Sequence, residues 1–345
     1  MTPLVSALIP TFNSERTLEE ALESVLWQTI GNIEAIVVDD GSSDGTVEIA
    51  RRFEARHPRR VICLCQNHAG PYVARNVAAQ RARGEYLAFL DSDDAWLPDK
   101  IARQVQVMKA SADIVLCHTG VVVVDAVGNV VDTGSIDPRY RGRCFAALLI
   151  RNRLATSSVV MRRDVFETLG GFDEAFPARG DWELWTRAAR CGPIAAVDEA
   201  LVRYRMHSRR MSLDTDRMRS YHLAIVEKNA HSYGDEPGLP RLIRHARAAA
   251  YLGYAWDYLA AGRRREARRD VLLALAHRPV VAAAWKALAA TWLSAELVDW
   301  IRRTLVSRPP SAAGVPTLDD LVQHATEYAL VWGPITLKRG FGFAR

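Results

Sequence analysis

Strand-like and helix-like stretches alternate from the start of this chain, and that alternation restricts the fold more than any other feature. Leu4 to Ile9, Ile33 to Val38, Val61 to Leu64 and Tyr86 to Leu90 are short, largely apolar runs. Between them the apolar spacing becomes helical: Leu18, Leu22 and Val25 fall at i, i+4 and i+7, with Asn13 or Ser14 as the expected cap. Further helices are expected from Ser43 or Asp44 to about Arg56, from Pro71 to Arg83, and after Pro98 at the first helical position, with Ile101, Val105 and Met108 inward. Strand, crossover helix and strand in repetition require a mostly parallel sheet with right-handed connections and helices on both faces. Tyr86 to Leu90 carries no charge, which suits a central strand covered on both sides.

Two of these runs end in acid. Asp39 and Asp40 follow the second, and Asp91, Asp93 and Asp94 follow the fourth. Parallel strands share one carboxyl edge, where open α/β sheets bind ligands, so both groups are expected along the same edge. Carboxylates this crowded repel unless a cation lies between them, and a hard divalent ion bridged to phosphate oxygens suits such a cluster. An acidic turn leading into the next helix accounts for the same residues without a ligand.

From about Ile114 the alternation weakens. Ile114 to Asp125 and Val130 to Thr133 read as a hairpin around Val127-Gly128-Asn129, and Ser157 to Met161 as another strand. After Ser212 the chain is rich in Ala, Arg and Leu. Arg241 to Ala261 and Arg263 to His277 read as two helices broken at Gly262, followed by a Pro/Ser-rich break at Arg308 to Pro316 and a last helix. These are too few units for a helical repeat array, so the expectation is an α/β domain over 1–212 and an all-helical extension over 213–345.

The 345 residues carry a net charge of +5, with arginine concentrated in the second half, as in Arg263 to Arg265, Arg268 and Arg269. That pattern fits an anionic partner, phosphate or membrane surface, and also a solvated helix face. Cys63, Cys65, Cys117, Cys144 and Cys191 form no C-x-x-C pair and read as reduced, buried thiols of a cytoplasmic protein. No signal peptide is read at the N-terminus. Pro279 to Val298 contains Lys286 and Glu296 and suits a buried or interfacial helix better than a spanning one.

Five segments in order, ALIPTFN, VVDDGSSDGT, GPYVARNVAAQRARGEYLAFLDSDD, GGFDEAFPARGDWELWTR and YRMHSRRMS, resemble the inverting, metal-dependent glycosyltransferases of family 2, over about Leu4 to Ser212. The resemblance implies a GT-A fold, Mn²⁺ or Mg²⁺ as cofactor, and a nucleoside-diphosphate sugar as donor, typically a UDP-sugar. It implies further that Pro10, Thr11 and Phe12 line the nucleoside pocket and that Asp40 accepts a hydrogen bond from the base. Arg75 would approach the nucleotide or its diphosphate, Asp91 and Asp93 match the D-x-D motif with Asp93 the direct metal ligand and Asp91 nearer the ribose or a metal-bound water, and His207 would stand near the metal and diphosphate. Asp181 matches the general base. Gly180 departs from the pattern, because an acidic residue often stands there, and the Q-x-x-R-W signature of processive synthases is absent, which favours single addition.

The chemistry asks for these residue types independently. A sugar leaving a diphosphate generates a multiply charged leaving group that a cation held by hard carboxylates stabilises, with Arg75, Arg205 or His207 assisting. The acceptor hydroxyl is a poor nucleophile, and a separate carboxylate removes its proton, accelerating attack about 10²-fold to 10⁴-fold. Each residue has a structural rival: Asp181 as a helix cap, Glu183 as the base instead, Trp182 and Trp185 as core, Asp39 as the holder of the Gly41 turn. A glycan or lipid-linked glycan is the implied acceptor, and no feature calls for a nucleic-acid partner. For the helical region, docking on the inner membrane face, a lid and a homodimer contact remain as alternatives. Rivals for the whole are an aspartate-based phosphotransferase and an inactive nucleotide-sugar-binding scaffold; Walker, G-x-G-x-x-G and H-E-x-x-H motifs are absent.

Overall fold

The computed structural model describes residues 2–207, 214–233, 236–279 and 282–291. These divide into two compact units, one of 2–148 with 153–207, the other of 149–152 with the helices after β9 (Ile194–Arg205). In the first unit β1 (Val5–Thr11), α1 (Leu18–Leu26), β2 (Ile33–Asp39), α2 (Thr46–Arg56), β3 (Val61–Cys65), α3 (Pro71–Arg81) and β4 (Tyr86–Phe89) alternate as expected. There follow β5 (Ala95–Trp96), α4 (Lys100–Ala110), the hairpin β6 (Leu116–Val124) and β7 (Val130–Gly134), α5 (Phe145–Ile150), β8 (Val160–Arg162), α6 (Arg163–Thr168) and α7 (Gly180–Cys191), then β9.

The strands form one sheet in the order β3, β2, β1, β4, β8, β6, β9, β5, with β7 paired to β6. The first four are parallel, and β6 is parallel to β9, whereas β8, β5 and β7 run antiparallel to their neighbours. Side chains alternate between two cores. Val5, Ala7, Ile9 and Val37 meet Leu18, Leu22, Val25, Phe53, Ile101, Val105 and Met108 from α1, α2 and α4. Leu8, Ile36, Val38 and Phe89 meet Tyr72, Phe172, Leu184 and Trp185 on the other face. Two-sided burial explains why β4 is a charge-free run.

Several boundaries differ from expectation for identifiable reasons. β1 runs through Pro10 to Thr11 instead of stopping at Pro10. Pairing with β4 ends at Leu8 opposite Phe89, so the side on which Pro10 lacks an N–H has no strand partner to disappoint. Neither Asn13 nor Ser14 caps α1: Thr17 precedes it, and the Asn13 side chain accepts from Ser43 N at 2.9 Å instead. Pro98 lies outside α4, whose flanking residue is Asp99. The strand expected from Ser157 starts only at Val160, because Thr156–Ser158 form a 3-10 turn.

The second unit contains α8 (Thr215–Tyr233), α9 (Leu239–Ala260), α10 (Arg264–His277) and α11 (Ala282–Ala290), with Gly262 at φ +75° breaking α9 from α10 as expected. Buried Asp270 binds Arg219 at 2.5 and 2.8 Å, tying α10 to α8. No described helix is long and apolar enough to cross a membrane. The helix expected after Pro316 lies outside the described residues. All five cysteines are free; Cys63, Cys117 and Cys144 are buried, but Cys65 and Cys191 are exposed, contrary to expectation.

Candidate active site

Helix α3 joins the carboxylates that the sequence places far apart. Just before it, the N–H groups of Ala69 and Gly70 donate to Asp40 at 2.8 and 2.9 Å, so the acid sits at the positive end of the helix. Gln66 Nε2 donates to the same carboxylate at 2.7 Å and His68 Nδ1 lies 2.9 Å from it. Tyr72 and Arg75 follow at i and i+3, on one face. Arg75 pairs with Asp91, and its guanidinium lies 5.1 Å from the Tyr72 ring and 5.8 Å from that of Phe172. Tyr72 donates its hydroxyl to Asp181 Oδ1 at 3.0 Å. Asn76, next along, exchanges hydrogen bonds with the Phe172 backbone at 2.9 Å in both directions, which anchors the loop leading to α7.

Asp91, Asp93 and Asp94 follow β4, and one oxygen from each lies within 4.8 Å of the others. They are not equivalent. Asp94 is 3% exposed and accepts from Ser157 Oγ at 2.6 Å and Arg205 N at 2.9 Å, so it holds the loop. The Asp93 side chain is 35% exposed and takes a 2.7 Å contact from His207 Nε2, bringing together the two residues expected near a metal. Burial raises the Asp91 carboxyl above its usual range, Arg75 opposes this, and Asp93 and Asp181 add to it. Asp94 is raised well above that range, by burial first and then by Asp93 and Asp91. Hard oxygen ligands crowded to this degree suit a divalent cation, whose charge relieves both burial and repulsion.

Asp181 lies in the first turn of α7, yet it does not cap it. Arg179 occupies the position before the helix, and the Asp181 oxygens accept from Tyr72 Oη and Thr156 Oγ1, both at 3.0 Å. Gly180 explains the departure from the family pattern: a Cβ there would come 2.9 Å from the Tyr72 ring, so the place of an acidic side chain is taken by tyrosine. Glu183 is removed as a rival base, being 2% exposed and bonded to Arg187 at 2.6 and 2.7 Å. Trp182 and Trp185 are core residues, the latter 5.2 Å from Phe89.

The remaining expected residues are distributed as follows. Pro10 and Thr11 are buried at the end of β1, whereas Phe12 is 46% exposed with its ring 4.4 Å from that of His68. Thr11 Oγ1 and Arg75 Nε are buried with no hydrogen-bond partner among the described residues, a cost that a bound polar ligand would offset. Asp39 holds the turn, accepting from Gly41 N at 3.2 Å and Ser42 N at 3.0 Å. Arg205 is committed to Glu20 at 2.5 Å and the Asp93 carbonyl at 3.0 Å, so it braces the acidic loop and is not free to face a leaving group. Sequence reasoning missed Tyr72, Thr156 and Ser157.

The α/β sheet, with an acidic cluster at the carboxyl edge of its parallel strands, is of the GT-A type. Residues 6–170 match the Glycosyl transferase family 2 model, which makes that segment a member of the family. Chondroitin synthase of Escherichia coli is 27% identical over 235 residues, covering 67% of this chain and 33% of that protein. The chain spans about a third of the length of the first curated relatives, 34% and 35%. Among solved structures, the mannosyltransferase PcManGT from Pyrobaculum calidifontis in complex with GDP-Man and Mn²⁺ superposes with a TM-score of 0.58 at 20% identity, covering 96% of this chain and 86% of that one. S. aureus TarS 1-349 in complex with UDP-GlcNAc gives a TM-score of 0.52 at 17% identity, covering 87% and 91%.

Proposed function

We propose that this chain is an inverting glycosyltransferase that moves a sugar from a nucleoside-diphosphate donor, a UDP-sugar by preference, to a hydroxyl of a glycan or lipid-linked glycan. The observation that carries this reading is the arrangement around α3: one face pairs Arg75 with the acidic cluster and Tyr72 with a second carboxylate, Asp181. Metal-type and base-type acids are thus brought near each other but held by different partners. An aspartyl-nucleophile phosphotransferase is disfavoured, because Asp91 is ion-paired to Arg75.

On this reading Pro10, Thr11 and Phe12 receive the nucleoside, with His68 beside Phe12, and Asp40 accepts from the base once His68 turns away. Arg75 directs its unpartnered Nε to the diphosphate, and Asp91 serves the ribose side. Asp93, with His207 against it, would hold Mn²⁺ or Mg²⁺, which supplies positive charge to the leaving diphosphate. Asp181 takes the proton of the acceptor hydroxyl as its oxygen bonds to the anomeric carbon. The bond from that carbon to the diphosphate oxygen breaks in the same displacement, the nucleoside diphosphate departs, and configuration inverts. We assign catalysis to 1–212 and regard 213–345 as an extension. The likeness to chondroitin synthase supports a polysaccharide product. Three buried free thiols agree with action in the cytoplasm.

Release of UDP from UDP-GlcNAc and of GDP from GDP-mannose, with Mn²⁺ or Mg²⁺ against EDTA, tests the reading. Metal-dependent release from one donor is expected. Release insensitive to EDTA, or no release and no shift in melting temperature with either donor, would overturn it.

A further inference from the structure

The turn Thr156–Ser158 touches both halves of the candidate site, although no motif marks it. Ser157 is 0% exposed, and its hydroxyl accepts from Asp91 N at 3.0 Å while donating to Asp94 Oδ2 at 2.6 Å. Its carbonyl accepts from Trp96 Nε1 at 2.8 Å, so β5, which follows the acidic loop, is bound to the same turn. One residue earlier, Thr156 Oγ1 donates to Asp181 Oδ2 at 3.0 Å. The turn is itself fixed: Ser158 Oγ donates to Ala155 O at 2.7 Å, and Gln104 Nε2 donates to Ser158 O at 2.9 Å.

We propose that this turn sets the separation between the acidic cluster and the base, with Ser157 as positioning residue for Asp91 and Asp94 and Thr156 as positioning residue for Asp181. The proposal rests on the glycosyltransferase reading above. Adjacent residues of a 3-10 turn keep a fixed relation, so the turn holds both carboxylate groups at one separation while each hydroxyl carries its own contact. Neither hydroxyl is assigned contact with the reacting atoms. Their function is to fix carboxylates whose alignment to a fraction of an ångström governs the rate. Tyr72 holds the second oxygen of Asp181, so the base keeps one partner when Thr156 is changed, and loses alignment more than burial.

The two contacts predict separable defects. Thr156→Val keeps the shape and removes the hydroxyl; turnover should fall about tenfold or more while the affinity for Mn²⁺ with UDP stays within about twofold, and Thr156→Ser should restore turnover. Ser157→Ala should weaken Mn²⁺ binding, read by Mn²⁺ electron paramagnetic resonance with UDP present, by about tenfold, with the turnover lost at low Mn²⁺ recovered at high Mn²⁺. Circular dichroism melts of each variant separate these effects from unfolding. Equal loss of Mn²⁺ affinity in both variants, or wild-type turnover in Thr156→Val, would overturn the proposal, as would failure of Thr156→Ser to restore it. Should the wild type neither turn over UDP-GlcNAc or GDP-mannose nor shift in melting temperature with either, the functional reading fails on its own; the spacer is then judged by Mn²⁺ affinity, expected to fall in Ser157→Ala alone.

Discussion

The Tyr72 hydroxyl donates to Asp181 Oδ1 at 3.0 Å, from a ring that lies 2.9 Å from where a Cβ on Gly180 would stand. The glycine next to Asp181, the proposed base, is thus required by the residue that orients that carboxylate. Gly180→Ala should push the ring, lower turnover about tenfold, and cost about 1–3 kcal/mol of stability through overpacking. Steady-state kinetics with a thermal melt checks this. An unchanged turnover number would show that Tyr72 does not align Asp181.

Arg75 → Lys should weaken UDP binding in the presence of Mn²⁺ by about tenfold or more. Lysine supplies a point charge but neither the planar stacking nor the second nitrogen that the guanidinium offers. Arg75 lies over the rings of Tyr72 and Phe172 and pairs with Asp91, so the variant should also leave Asp91 less compensated. Calorimetric titration gives the affinity; retention of wild-type binding would remove Arg75 from the diphosphate subsite.

Lys100 provides a pH test independent of catalysis. It is 0% exposed, its Nζ has no hydrogen-bond partner among the described residues, and burial lowers its pKa from 10.5 to about 7. Between those values the unfolded chain binds a proton that the folded chain does not. Stability should therefore rise with pH from about 7 toward 10.5, by at most about 1.4 kcal/mol per unit. The Trp96 ring, 4.3 Å from the ammonium, offsets part of this. Lys100→Met, similar in length, should melt higher at pH 7 and lose that slope. A lower melting temperature at pH 7 would mean that Trp96 outweighs burial.

What was legible in the sequence was whatever repeats locally. The period of apolar residues marked β1 to β4 and their helices, and the acids at the ends of β2 and β4 marked the carboxyl edge, where open α/β sheets bind ligands. Contacts across long separations left no such trace. Tyr72 and Asp181 are 109 positions apart, Asp91 and Ser157 66, and Glu20 and Arg205 185. Arg205 read as a candidate for the leaving group because it is a cation in the YRMHSRRMS segment; only the fold places Glu20 against it. Gly180 read as a departure for the same reason, since the ring that fills its place comes from another helix.

The central claim is that Asp93 serves donor and metal whereas Asp181 serves the acceptor. Calorimetric titration of UDP with Mn²⁺ into the wild type, Asp93→Ala and Asp181→Asn, with turnover measured in parallel, tests it most directly. Asp93→Ala should lose binding about tenfold or more together with turnover, and Asp181→Asn should bind within about twofold of the wild type while turnover falls about 10²-fold to 10⁴-fold. Equal loss of binding in the two variants would contradict the division of roles.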